Sequence, residues 1–337
     1  MGGQENVDYS IVICTYNPDE NVLKRCLQAV RQLNVANIST EVILVDNNSK
    51  VRVQDLPYIK EYTAGIPGLK QLFVVKQGLL YARLAAIAEA KGAQIVFFDD
   101  DNEPESEYLQ ELHRLNKQFP NVAAWGPGNV EVDFVDGVDD NIREVALQLF
   151  QHRTATTVGF AAIKDWQPCY PYGTGLCIKT DLCREYLQQV NQGRLTLTGR
   201  NGNKLSSGED TQMIMLCISK GYAAGISPAL RLTHIITAKR ANRPYMNRLL
   251  YGTRSCYETC MVQVFPERKQ MLESKLISGA KFSRQTLKKF LKTKWNRSPQ
   301  KTFDLIQFIA AHASDYMALD KPLPGFVNKV LTSLKIV

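Results

Sequence analysis

The chain has 337 residues, 45% of them hydrophobic and 22% charged, with a formal net charge of +8, the balance of a globular protein large enough for one α/β domain with an appendage or for two domains. Its apolar runs, such as Ile95–Phe98, fall far short of the roughly 20 residues that a membrane-spanning helix needs. The charge is uneven: residues 239–337 hold 19 Lys and Arg against 6 Asp and Glu, and residues 1–238 hold 22 against 27, so an acidic body precedes a basic tail.

The opening MGGQENVDYS lacks a basic-then-apolar leader pattern, which makes the cytoplasm the expected location. Gly2 is followed at position six by Asn6, not by the Ser or Thr of a myristoylation signal. The run YSIVICTYN predicts a buried strand and its exit loop, and DENVLKRCLQAVRQL predicts a helix with Val22, Cys26, Ala29 and Leu33 on one face. TEVILVDNNS predicts a second strand that leaves through Asp46, and LKQLFVVK a third. LLYARLAAIAEAKG predicts a helix stopped by Gly92, and QIVFFDDD a fourth strand ending in Asp99, Asp100 and Asp101. Strands alternating with helices imply a mostly parallel sheet, and ligands in such sheets bind beyond the carboxyl ends of the strands. Thr15, Asp46 and Asp99–Asp101 are therefore expected on one rim.

Past Pro104 the periodicity loosens. AAWGPGNVEVDFV predicts a turn followed by a strand, and YPYGTGLCIKTDLCREYL a glycine-rich loop, a strand and a helix. GRNGNKLSSGEDTQMIMLCISKGY predicts a polar loop and then a helix that starts near Ser207–Asp210 and stops at Gly221. PALRLTHII predicts a late strand carrying His234, and the tail reads as helices interrupted at KPLPGF. Eight cysteines with no CxxC spacing, and only four histidines, speak against a zinc site.

Three carboxylates in a row at the end of an apolar strand repel one another and resist burial. They admit three readings. They cap a turn or the next helix. They belong to a haloacid dehalogenase-type phosphatase, although Asn102 and Glu103 stand where DxDx[T/V] wants Thr or Val. Or Asp99 and Asp101 form a DxD pair for Mg²⁺ or Mn²⁺, hard cations that share oxygen ligands with substrate phosphates.

The segments ICTYN, ILVDNNS, ARLAAIAEAKG, IVFFDDDNEP and SGEDTQM, in that order, resemble the family 2 glycosyltransferases of the GT-A fold over roughly residues 8–238. The Ala-Arg motif departs from the family by having Leu84 where Asn is usual. The resemblance implies a GT-A catalytic domain over 1–240, with a donor-binding half at about 8–104 and an acceptor half at about 105–240. It leaves 241–337 as a basic, mainly helical extension. It implies that Thr15, Tyr16, Asp46, Arg83, Asp99 and Asp100 contact the donor nucleotide, with the Asp100 side chain turned away by strand alternation. Asp101, Asp99 and His234 are implied to hold the divalent metal. Asp210 is implied as general base with Glu209 in support, although helix capping by the same two acids remains the alternative. Trp125, Gly126, Tyr172, Gly173 and Gly175 are candidates for the sugar pocket, against a reading as core aromatics and a tight turn.

The implied function is inverting, metal-dependent transfer from a nucleotide-diphosphate sugar, a UDP-sugar first among them, to a glycan or lipid-linked acceptor. Against this stand another phosphate-dependent enzyme such as a phosphatase, or a non-catalytic protein binding through the tail. No GxGxxG follows the first strand, which disfavours a dinucleotide oxidoreductase. In the tail, Leu276, Ala280, Leu287 and Leu291 share a helical stripe among Lys281, Lys288, Lys289 and Lys292. This fits either an interfacial helix at the inner face of a membrane or a packed helix with a solvated basic side. No nucleic-acid motif is visible.

Overall fold

In the computed structural model, which describes residues 7–200, 205–295 and 298–336, β1 (Tyr9–Thr15) is buried at every position, as a strand covered on both faces must be. The first residues of the N-terminal stretch, the centre of the polar loop at 201–204 and Arg297 of the tail lie outside the described residues. After β1 come α1 (Glu20–Arg31), β2 (Thr40–Asp46), a 3₁₀ turn at Val53–Asp55, α2 (Ile59–Thr63), β3 (Leu69–Phe73), α3 (Leu79–Glu89), β4 (Gln94–Asp99) and β5 (Asn102–Pro104). Then follow α4 (Tyr108–Gln118), β6 (Val122–Phe134), α5 (Asp140–Leu149), β7 (Arg153–Thr154), β8 (Gly159–Ala161), β9 (Leu176–Lys179), α6 (Thr180–Asn191), α7 (Glu209–Ser219) and β10 (Ala223–Ile236). The tail contributes α8 (Arg243–Ser255), α9 (Tyr257–Val264), α10 (Arg268–Lys275), α11 (Gly279–Trp295), α12 (Pro299–Ala318) and α13 (Gly325–Ser333).

One sheet runs in the order β3-β2-β1-β4-β9-β6-β10-β5. β1 is parallel to β2 and β4, and β2 to β3. β9 turns antiparallel against β4 and β6, and β5 runs antiparallel to β10. The α/β class with flanking helices and a helical C-terminal region is the one the sequence predicts.

Two compact units emerge. One comprises Met1–Asp133, Gln151–Arg194 and Met213–Ile235; the other comprises Phe134–Phe150, Leu195–Gln212 and Ile236–Val337. The first is built on Ile11, Ile13, Leu23, Leu44, Val96 and Phe98, the second on Phe282, Ile306, Ile309, Val327 and Leu331. The two units interleave along the sequence.

Several glycines and leucines do other work than their sequence context suggests. α3 ends at Glu89, before Gly92, and a Cβ at Gly92 would lie 2.4 Å from the Ser10 nitrogen. That glycine lets the chain pass against β1 rather than stopping the helix. The expected turn at Gly126 is absent, because β6 runs unbroken through it. A Cβ at Gly126 would meet Pro171 at 2.5 Å, and one at Gly128 would meet the Ser227 carbonyl at 2.5 Å, so both serve close approach of neighbouring chain. In α11, Phe282 and Thr286 are buried, while Leu287 and Leu291 are exposed.

Candidate functional site

The strand register builds the expected rim. Thr15 lies opposite Asp46 across β1 and β2, Asp46 opposite Phe73 across β2 and β3, and Cys14 opposite Asp99 across β1 and β4. The exits of four strands are thus level, and each leaves through residues that carry polar side chains or sit beside them.

β4 ends at Asp99, and Asp100 and Asp101 form the turn into β5. Alternation of side chains belongs to extended chain, so it stops at Asp99. Asp100 does not turn away: its carboxylate accepts a short hydrogen bond from the Thr15 hydroxyl. Asn102 organises the turn. Its side-chain oxygen accepts from the Asp99 amide at 3.1 Å, and its amide nitrogen donates to Asp101 Oδ1 at 2.9 Å. Nothing in the DxD pattern singles out this residue, but an Asn closing an acidic turn is the available signal.

β5 pairs with β10 so that Asn102 faces His234. This pairing places His234 Nε2 3.3 Å from Asp101 Oδ2, both groups largely buried. The backbone tightens the same contact, since the Ile235 amide donates to the Asp101 carbonyl at 2.8 Å. Asp99 instead meets Arg83, whose Nη2 is 3.2 Å from Asp99 Oδ1. Arg83 is only 3% exposed and its guanidinium lies over the Phe97 ring. It is therefore not a solvated helix residue, and it pins Asp99 to α3. The three-ligand set of Asp99, Asp101 and His234 does not assemble. Among the described residues no three His, Cys, Asp or Glu side chains gather as a metal site, and the adjacent pair is Asp101 with His234.

Beneath the triplet the Cys26 thiol donates to the Asp99 carbonyl. Burial, and then the carboxylates of Asp100, Asp101 and Asp99, hold that thiol well above its usual range. Burial and the negative charge of Glu20 and Asp100 push the Tyr58 phenol up to about 12. The rim's negative field is felt by its neighbours.

Asp46 is committed to its own loop. Its carboxylate accepts from the Ser49 amide at 2.9 Å and from the Val53 amide at 2.9 Å. Asn47 accepts from the Gly78 amide at 2.7 Å and donates to the Lys76 carbonyl at 2.9 Å. Asn17, in the left-handed region at φ 47°, accepts from the Lys50 amide, and its own amide donates to the Ser49 hydroxyl. These asparagines lock the loops after β1, β2 and β3 to one another, with Tyr16 43% exposed among them. Sequence reasoning missed Asn17 and Asn47; their signal is Asn next to a strand exit, where a left-handed residue or an Asx turn is needed. Beside Asp46 lies a recess of about 90 Å³ floored by Leu44, Leu72 and Val53, with the Arg52 guanidinium 4.4 Å over the Phe73 ring. A larger polar groove of about 510 Å³ runs along β6, β7 and β10, with Glu105, Glu131, His152, Arg153 and Arg231 in its walls.

Of the sugar-pocket candidates, Trp125, Gly126, Gly173 and Gly175 are buried and Tyr172 is half-buried. Trp125 is 1% exposed and packs edge-on against Phe160, as a core residue. Gly175, at φ +68°, accepts from the Tyr108 hydroxyl at 2.7 Å and has no room for a Cβ. Gly173 is buried, while Tyr172 stacks on Trp166 under the Arg153 guanidinium.

In the second unit, Glu209 and Asp210 open α7. Asp210 is half-buried, and its carboxylate accepts from the Thr211 amide at 2.7 Å. Glu209 is buried, and Gly199, at φ +65°, packs on its carboxylate so closely that a Cβ would lie 2.8 Å away. Burial and Glu209 raise the Cys256 thiol, and burial and Asp210 raise that of Cys260. Arg243 binds Asn141 at 2.5 Å, so it is engaged within its own unit.

Residues 10–133 match the family model for glycosyl transferase family 2. That stretch contains β1 through nearly all of β6, and with them Thr15, Asp46, Arg83 and the Asp99–Asp101 turn. The chain is 30% identical over 102 residues to glycosyltransferase AglE of Haloferax volcanii, covering 30% of this chain and 33% of that protein. It is 32% identical over 118 residues to polypeptide N-acetylgalactosaminyltransferase 11 of Xenopus tropicalis, covering 33% of this chain and 19% of that one. The matches thus span a third or less of these relatives' length. Among solved structures, S. aureus TarS 1-349 in complex with UDP-GlcNAc is 14% identical, with a TM-score of 0.47 and coverage of 94% of this chain and 93% of that one. GalNAc-T7 with UDP, GalNAc and Mn²⁺ is 16% identical, with a TM-score of 0.47 and coverage of 76% and 51%.

Proposed function

We propose that this chain transfers a sugar from a nucleoside-diphosphate sugar, a UDP-sugar first, to an acceptor hydroxyl on a glycan or lipid-linked carrier, with inversion. The observation that supports this best is the Asp99–Asp101 turn: inside the family 2 stretch, its carboxylates are fixed at the rim by Thr15, Arg83, Asn102 and His234. Tyr16 and the recess beside Asp46 receive the nucleoside. Asp46 holds their loop, and its remaining lone pairs are available to a base or ribose donor. Thr15 and Asp100 border the donor, and Arg83 acts through Asp99 as a positioning residue.

Asp101 and His234 would hold a divalent ion. A carboxylate and an imidazole suit Mn²⁺ or Mg²⁺ when diphosphate oxygens and water complete the shell. When bound, such an ion neutralises charge on the departing diphosphate. Asp210, in the first turn of α7, is the group assigned to take the proton from the attacking acceptor hydroxyl. Glu209, buried beside Gly199, holds the start of α7 in place.

Calorimetric titration with UDP tests the donor half of this reading. The expected result is binding that tightens when Mn²⁺ is present and loses that gain in Asp101→Ala. Absence of UDP binding with and without Mn²⁺ would overturn the proposed donor class.

A further inference from the structure

Helix α11 carries six Lys and Arg residues and no Asp or Glu over its 17 residues. Its inward face is Phe282 and Thr286, both fully buried. Leu287, Leu291 and Trp295 are 41%, 55% and 94% exposed. Successive members of that trio are four residues apart, which on an α-helix stacks them along one face, roughly 160° from the buried one. Leu287 and Leu291 are thus not spent on packing, whereas Leu276, before α11, packs on the core of the second unit. The exposed Lys281, Arg284, Lys288 and Lys292 lie in or beside it on one flank. Lys294 lies on the other, its ammonium 5.2 Å from the Phe290 ring.

We propose that the outward face of α11 docks on an anionic lipid bilayer. The occupant follows from the chemistry of the face. Exposed Leu and Trp side chains gain by entering the acyl boundary, with Trp favoured at the headgroup level. The flanking cations gain from acidic headgroups, on the order of fivefold in affinity for each charge near the surface. A polyanion such as nucleic acid would use the cations and leave the three apolar side chains in water. No described helix is long and apolar enough to cross a membrane, so the contact is peripheral. It is independent of the sugar-transfer reading.

Vesicle sedimentation of the full chain tests it, with phosphatidylcholine vesicles compared with vesicles that also contain phosphatidylglycerol. The expected result is about tenfold or more tighter binding to the anionic vesicles, weakening with salt. Leu291→Gln with Trp295→Gln should lower that binding about tenfold with unchanged thermal melting, and Lys288→Gln with Lys292→Gln should lower it and flatten its salt dependence. The parent's tryptophan emission should shift to the blue with anionic vesicles, and Trp295→Phe should abolish the shift. Equal binding to both vesicle types would overturn the proposal. So would an apolar double variant that binds like the parent, or lipid-free self-association of the parent that the same double variant abolishes.

Discussion

Asp46 and Arg83 show how a residue of the right type in the right place can be engaged locally. A strand ending in Asp next to two asparagines reads as a ligand contact, yet the Asp46 carboxylate is already accepting two backbone amides. Arg83 reads as a guanidinium for phosphate, yet it is buried against Asp99. Removing one partner of such a pair leaves an uncompensated charge. Arg83→Met should therefore cost about 3 kcal/mol, the low end for a buried pair because Asp99 is partly exposed. Urea unfolding measures this, and adding Asp99→Asn should restore much of the loss. An unchanged midpoint in the single variant would show that the pair contributes nothing.

At the scale of elements, β1, β2 and β4 were legible because each is a short apolar run that ends sharply in polar residues. α4 was not, although Tyr108, Leu109, Leu112 and Leu115 are all buried. Its helical period is interspersed with charge and follows an irregular acidic turn. The orientation of Asp100 was missed because alternation was carried past the end of the strand. Gly92, Gly126 and Gly175 were read as a helix stop or as approaches for a ligand, and each is instead a place where the chain packs on itself. That distinction depends on the neighbour across the sheet, which local sequence does not name. Gly92→Ala puts a Cβ against the Ser10 backbone, so it should destabilise by about 1–3 kcal/mol. A midpoint in urea equal to the parent's would show that β1 yields there.

At the scale of the whole molecule, the charge split along the chain was visible at once, and the tail is helical as expected. The interleaving of the two compact units was not visible, because it depends on contacts between segments far apart in sequence. Asp101 and His234, far apart in sequence, meet because β5 pairs with β10. The order of motifs suggested the pair, and strand register supplies the reason for it. Asp99 is engaged by Arg83, which is buried in α3.

Asp101 and Asp210 are the residues proposed to carry sugar transfer. Release of nucleoside diphosphate from a panel of nucleotide sugars, with Mn²⁺ or Mg²⁺ and candidate acceptors, tests this assignment most directly. Metal-dependent release by the parent, loss of the metal effect in Asp101→Ala, and a fall in turnover of about 10²–10⁴-fold in Asp210→Asn are the expected results. Parent-like, metal-dependent turnover in both variants would contradict it.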